Sequence, residues 1–213
     1  MPLYKDIHLA DHTRILVWNI SESENVLQRD IFLNQHNLAR FRNMKSEMHR
    51  RAFLSVRKLM KLAGYSDADL YYDTLGKPNL RDNKHISITH SHEYSAIIVS
   101  DKSAGIDLEW ARAKVLRIAD KFASDELLYL PEDNPNRIQI LTVIWGVKES
   151  IFKIRNEAGI SFKDHIYVPP FDLEGGKAQG VLTFAGETVN YNIEFITFAD
   201  FVLVWAFESE SQN

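Results

Sequence analysis

No cysteine occurs among the 213 residues. That excludes disulfides, thiolate catalysis and Cys-ligated zinc, and makes a cytoplasmic location the expectation. No apolar run approaches the roughly 18 residues of a membrane-spanning helix, so no membrane partner is expected. Met1 to Ala10 lacks a basic segment followed by an apolar stretch, which argues against a secretory leader. No residue-level repeat is visible. With 45% apolar and 25% charged residues the chain can bury a substantial core. Its length allows one large domain or two small ones.

A strong excess of either charge is also missing, since the net charge is only −4. That figure hides an asymmetry. Residues 1–103 carry 15 Lys and Arg against 12 Asp and Glu, whereas residues 104–213 carry 10 against 17. Arg40 to Lys61 concentrates the basic charge in Arg40, Arg42, Lys45, Arg50, Arg51, Arg57, Lys58 and Lys61, opposed only by Glu47. Such a field attracts a polyanion, either nucleic acid or a multiply phosphorylated small molecule. The plainer reading is a solvated helix face.

The pattern predicts a strand over Thr13–Ile20, then helices from Val26 to Ala63 in two or three pieces, capped by Gly64. Leu70–Tyr72, Ile86–His92 and Tyr94–Ser100 read as strands, with a turn carrying a lysine at Gly76–Asn79. A strand through Ser103–Trp110 follows. Val115–Lys121 and a segment N-capped by Ser124 read as short helices, and Arg137–Arg155 as the strongest helix. Three strand-like runs, Gly180–Ala185, Thr188–Thr197 and Phe201–Phe207, close the chain. The fold class expected is α+β, two similar halves each with helices on a mainly antiparallel sheet. The boundary falls at Asp101–Ser103, giving residues 1–102 and 103–213.

Within the central strand, Gly105-Ile106-Asp107-Leu108-Glu109 places two carboxylates at i and i+2. In extended backbone these project to one side, while Ile106 and Leu108 point to the other. Like charges this close repel unless a cation lies between them or one takes up a proton. A hard divalent ion such as Mg²⁺ is the natural guest, often held by one or two carboxylates plus substrate phosphates. Two surface acids at a strand end are the bland alternative. Forty residues on, Trp145-Gly146-Val147-Lys148-Glu149-Ser150-Ile151-Phe152-Lys153 lies in the long helix. Glu149 and Lys153 are i and i+4 and share a face. A surface ion pair there would contribute only about 0.3–0.5 kcal/mol. The apolar neighbourhood argues for more.

Gly-Ile-Asp-Leu-Glu followed by Trp-x-x-Lys-Glu-Ser-x-x-Lys resembles the signature of 4′-phosphopantetheinyl transferases. The length is similar to the two-halved surfactin synthetase activator (Sfp) type rather than the short trimeric type. Gly76-Lys77-Pro78, Ser87-Ile88-Thr89-His90-Ser91, Phe122-Ala123-Ser124-Asp125-Glu126 and the basic helix ending in Arg57-Lys58-Leu59-Met60 resemble further family motifs, in the family's order. The resemblance covers about residues 38 to 153. It implies Mg²⁺-dependent (or Mn²⁺-dependent) transfer of the phosphopantetheine arm of coenzyme A to a serine of an apo carrier protein of acyl, peptidyl or polyketide type. Adenosine 3′,5′-bisphosphate is released. It further implies a monomeric pseudo-dimer with coenzyme A in the cleft between its halves, and no nucleic-acid partner.

Residue by residue, the resemblance assigns Asp107, Glu109 and Glu149 to the metal, with Glu149 or a metal-bound water as base. Lys148 and Lys153 are assigned to the phosphates, stabilising the transition state. Lys77, Thr89 and His90 are assigned to coenzyme A, and Arg50, Arg51 and Arg57 to its 3′-phosphate end. Ser87 and Gly146 depart from the family's usual residues. The alternative is a metal-dependent phosphohydrolase acting on coenzyme A or a related nucleotide with the same three acids. His36, His49, His85 and His92 receive no role.

Overall fold

A computed structural model describes residues 2–210 of the chain. The fold is mixed α and β, with antiparallel sheets. The chain divides into two compact units, Met1–Lys102 and Ser103–Asn213.

The first unit opens with strands β1 (Leu3–His8) and β2 (Arg14–Asn19), followed by helices α1 (Glu24–Gln28), α2 (Gln35–Asn43) and α3 (Glu47–Leu62). A small antiparallel pair, β3 (Leu70–Tyr72) and β4 (Pro78–Leu80), precedes β5 (His85–Ser91) and β6 (Tyr94–Ser100). The main sheet runs in the order β1-β2-β6-β5, antiparallel throughout. Helix α3 starts at Ser46, whose hydroxyl accepts the His49 N–H. It lays Phe53, Val56, Leu59 and Met60 against a core that includes Leu16 and Ile97. It ends at Gly64, with φ of +91°. The Gly64 N–H reaches the Lys61 carbonyl and the Tyr65 N–H reaches the Met60 carbonyl, at 3.1 and 2.9 Å. This paired closure requires the left-handed conformation that glycine adopts without penalty.

The second unit begins with β7 (Ala104–Trp110). A 3-10 turn over Val115–Arg117 and the short helices α4 (Ala119–Phe122) and α5 (Asp125–Tyr129) lead to the long α6 (Arg137–Arg155). Helix α7 (Phe162–His165), β8 (Ile166–Tyr167), β9 (Lys177–Phe184), β10 (Glu187–Phe198) and β11 (Phe201–Glu208) complete it. The sheet order is β7-β11-β10-β9-β8, again antiparallel. Helix α6 packs on β7 and β11. Leu141, Ile144, Val147 and Ile151 join Val202, Val204 and Ile193 in its core.

Four elements depart from the sequence reading. Strand β1 was not expected; it is a sheet edge whose residues alternate between half-buried and exposed, and its polar positions Lys5, Asp6 and His8 weaken the strand pattern. Helix α7 and β8 lie in a stretch to which the sequence pattern assigns no element, and both are too short for periodicity to register. At α5, Ser124 makes no side-chain cap. Its own N–H donates to Glu126 Oε2 at 3.1 Å instead. Among the described residues no helix is long and apolar enough to cross a membrane.

Candidate active site

Two glycines let α6 lie unusually close to β7 and β11. A β-carbon on Gly105 would sit 2.0 Å from the Ser150 carbonyl oxygen, so strand and helix touch backbone to backbone there. On Gly146 it would meet Val204 Cγ2 at 2.7 Å and lie 3.8 Å from Asp107 Oδ2. Gly146 therefore costs the helix about 1 kcal/mol of propensity but allows the contact with β11. Gly105, Asp107 and Glu109 alternate along β7, so all three face α6. Ile106 and Leu108, on the opposite face, are fully buried.

This close layer brings Asp107, Glu109, Glu149 and Lys153 within mutual electrostatic reach. Lys153 Nζ donates to Asp107 Oδ1 at 2.7 Å and to the Ile106 carbonyl at 2.8 Å. The Trp145 indole N–H donates to Glu109 Oε1 at 3.3 Å. Burial, and then the charge of Asp107, push the Glu149 carboxyl up to about 7, with Lys153 opposing. Burial and Asp107 likewise raise Glu109 to about 7, with Glu149 adding and Trp145 and Lys153 opposing. One lysine thus serves three acids, and the surplus of negative charge is accommodated by proton uptake.

That surplus is the chemistry of a site for a hard cation, and three carboxylates are suitable oxygen donors. The donors are not drawn into a closed ring: among the described residues no group of three His, Asp or Glu side chains is arranged to hold an ion. Asp107 Oδ1 carries the Lys153 ammonium at that position. The donor set fits a divalent metal in kind, with Lys153 lying where one carboxylate would engage it.

Lys148 requires a correction. The expectation placed it at a phosphate, but its side chain is 0% exposed and turned to the other side of α6. Its ammonium pairs with Glu126 Oε1 at 2.7 Å and donates to the carbonyls of Phe122 and Phe162 at 2.8 and 3.0 Å. All three of its N–H donors are engaged. Glu126 also accepts the N–H groups of Ser124 and Val168. Lys148 therefore ties α4, α5 and α7 to α6, and Trp145 packs beside it against Phe122 and Phe162.

Arg57 requires the same correction. It is 4% exposed, donates through Nε to Asp67 Oδ1 at 3.0 Å, and lies over the Phe53 ring. Asp67 further accepts from Asn37 Nδ2 and the Asn34 N–H. The guanidinium thus holds α2, α3 and the loop before β3 together and does not present itself to a phosphate. Arg50 and Arg51 are half-buried. Arg50 bonds Glu24 and the Met44 carbonyl, and Arg51 the carbonyls of Glu22 and Ile20. Lys58 and Lys61 likewise reach the carbonyls of Arg29 and Asp30. Much of the basic stretch is therefore internal cross-bracing.

Of the other expected contacts in the first unit, Lys77 lies half-buried after the Gly76 turn, and burial lowers its pKa, opposed by Asp73. Thr89 is buried on β5 opposite Ala96. His90 is exposed, with its ring 6.3 Å from that of His49 on α3. Two contributors were not singled out as site residues. Trp145 orients Glu109, and Glu126 fixes Lys148. Trp145 had a readable signal, since it precedes Glu149 by four residues on one helix face. Compared with family models and with curated proteins, the chain finds no match.

Proposed function

We propose that the protein is a 4′-phosphopantetheinyl transferase that moves the phosphopantetheine arm of coenzyme A onto a serine of an apo carrier protein. The observation that supports this best is the set Asp107, Glu109 and Glu149, held on β7 and α6 around the single ammonium of Lys153. Asp107, Glu109 and Glu149 would hold Mg²⁺ or Mn²⁺, which when bound polarises phosphoryl oxygens and neutralises charge on the pyrophosphate. Trp145 fixes the Glu109 carboxylate. Glu149, with its carboxyl at about 7, is poised near neutrality to take the proton of the attacking serine hydroxyl. The serine oxygen then bonds to phosphorus as the bond to the departing adenosine 3′,5′-bisphosphate breaks. Lys153 stabilises the charge that develops on the phosphoryl oxygens.

The same reading assigns coenzyme A contacts in the first unit to Lys77, Thr89 and His90, with Arg50 and Arg51 as the remaining basic candidates. It treats the protein as a monomeric pseudo-dimer of two similar halves. In support, each unit packs one long helix, α3 or α6, on an antiparallel sheet.

The test follows the nucleotide product. With coenzyme A and Mg²⁺, adenosine 3′,5′-bisphosphate should appear only when an apo carrier is added. Release that is equally fast without a carrier would overturn transfer in favour of a phosphohydrolase.

A further inference from the structure

Lys153 occupies one carboxylate oxygen of Asp107, a candidate metal ligand. Its ammonium is 2.7 Å from Asp107 Oδ1 and 2.8 Å from the Ile106 carbonyl. A monovalent ammonium and a divalent ion cannot both occupy Asp107 Oδ1 at bonding distance without strong repulsion. The lysine also has a way out. It is attached to α6 by a flexible four-carbon stem and its side chain is 27% exposed, whereas Asp107 is fixed on a buried strand. Lys148, five residues earlier on α6, has no such freedom, being fully enclosed by Glu126 and two carbonyls.

On the reading that Asp107, Glu109 and Glu149 form a metal site, we infer that Lys153 is a tethered stand-in for the metal, and that a divalent ion must displace its ammonium from Asp107 in order to bind. This explains why the three acids do not close into a ring while the lysine is in place. Without metal, the ammonium limits the repulsion among buried carboxylates. With metal, it is released toward solvent, free to meet a substrate phosphate. Ion entry and the arrival of a polyphosphate are thereby coupled, because the phosphate offers the displaced lysine a new partner.

The test combines lysine footprinting with ion titration on the full chain, using Mn²⁺ alone as the probe. Acetylation read by peptide mass should show Lys153 reacting several-fold faster at saturating Mn²⁺, with enclosed Lys148 unreactive and exposed Lys114 unchanged. Glu149→Gln should abolish the increase. Lys153→Met, with circular dichroism confirming its fold, should bind Mn²⁺ about tenfold more tightly, the gain expected if the ammonium holds Asp107 in about nine molecules of ten. If Mn²⁺ binds and Lys153 reactivity stays level or falls, the displacement is overturned while the metal site stands. If neither wild type nor Lys153→Met binds Mn²⁺ in a way that Glu149→Gln weakens, the metal-site reading falls and the displacement with it.

Discussion

Replacing Gly105 by alanine should break the layer on which the candidate site depends. The added β-carbon would lie 2.0 Å from the Ser150 carbonyl oxygen and 2.8 Å from its carbon. Carbon and oxygen settle no closer than roughly 3.3 Å, so β7 and α6 must part by about 1.3 Å. Both sides of the contact are backbone, and no rotamer change relieves it. Overpacking of this kind costs about 1–3 kcal/mol where side chains can yield. With none able to yield, a loss of at least about 3 kcal/mol is expected, a large share of a typical domain's stability. The separation also pulls Asp107 from Lys153, because residue 107 is the next on the same face of β7.

Urea unfolding followed by tryptophan fluorescence suits this test, since Trp110, Trp145 and Trp205 all lie in the second unit. Gly146→Ala is the matched control. Its β-carbon meets side chain rather than backbone, Val204 Cγ2 at 2.7 Å and Cβ at 3.2 Å, so a small shift of one buried side chain must relieve it. The helix also gains about 1 kcal/mol from alanine. The net loss for Gly146→Ala should therefore be no more than about 2 kcal/mol, smaller than that of Gly105→Ala. A Gly105→Ala chain as stable as wild type, or less affected than Gly146→Ala, would refute the backbone-contact argument.

Two further outcomes are expected. Glu126→Gln leaves the fully enclosed Lys148 ammonium without its counter-charge and should cost about 3–5 kcal/mol in urea unfolding; Glu126→Leu combined with Lys148→Met should recover only part of that loss, because the Ser124 and Val168 N–H groups lose their acceptor. Glu109 and Glu149 titrate at about 7 when folded against an ordinary 4.5, so between those values the folded chain holds protons that the unfolded chain has released. Their contribution is therefore complete below pH 4.5 and declines as pH rises to about 7, by on the order of 3 kcal/mol for each carboxyl in metal-free protein; the combined Glu109→Gln, Glu149→Gln variant should flatten that decline, and a slope identical to wild type would count against the raised carboxyls.

Much of the scaffold was legible because local patterns and tertiary packing agree. Leu70–Tyr72, Tyr94–Ser100 and Arg137–Arg155 form the elements that their alternation or apolar density predicts. Asp107 and Glu109 share one side of β7 because the strand period dictates it. The roles of individual cations were not legible. Helix α6 is buried around most of its circumference, from Leu141 and Thr142 through Val147, Lys148 and Ser150 to Ile154. A pattern without a polar face does not fix the helix rotation, so Lys148 and Lys153 look alike in sequence, and only packing sends one to Glu126 and the other to Asp107. Arg57 was obscured for a related reason. Its partner Asp67 lies beyond the end of α3 in a loop whose path no periodicity encodes. Gly146 is unfavourable on helix propensity alone, and its close neighbour Val204 lies on a strand that the helix sequence does not encode.

The central claim is most directly tested by the mass of the acceptor. The protein is incubated with coenzyme A, Mg²⁺ and apo carrier proteins of acyl, peptidyl and polyketide type, and each carrier is weighed intact. The expected result is the gain of one phosphopantetheine arm on at least one carrier, lost when Glu149→Gln replaces the wild type. No gain on any of the three, or a gain that Glu149→Gln leaves unchanged, would contradict the account.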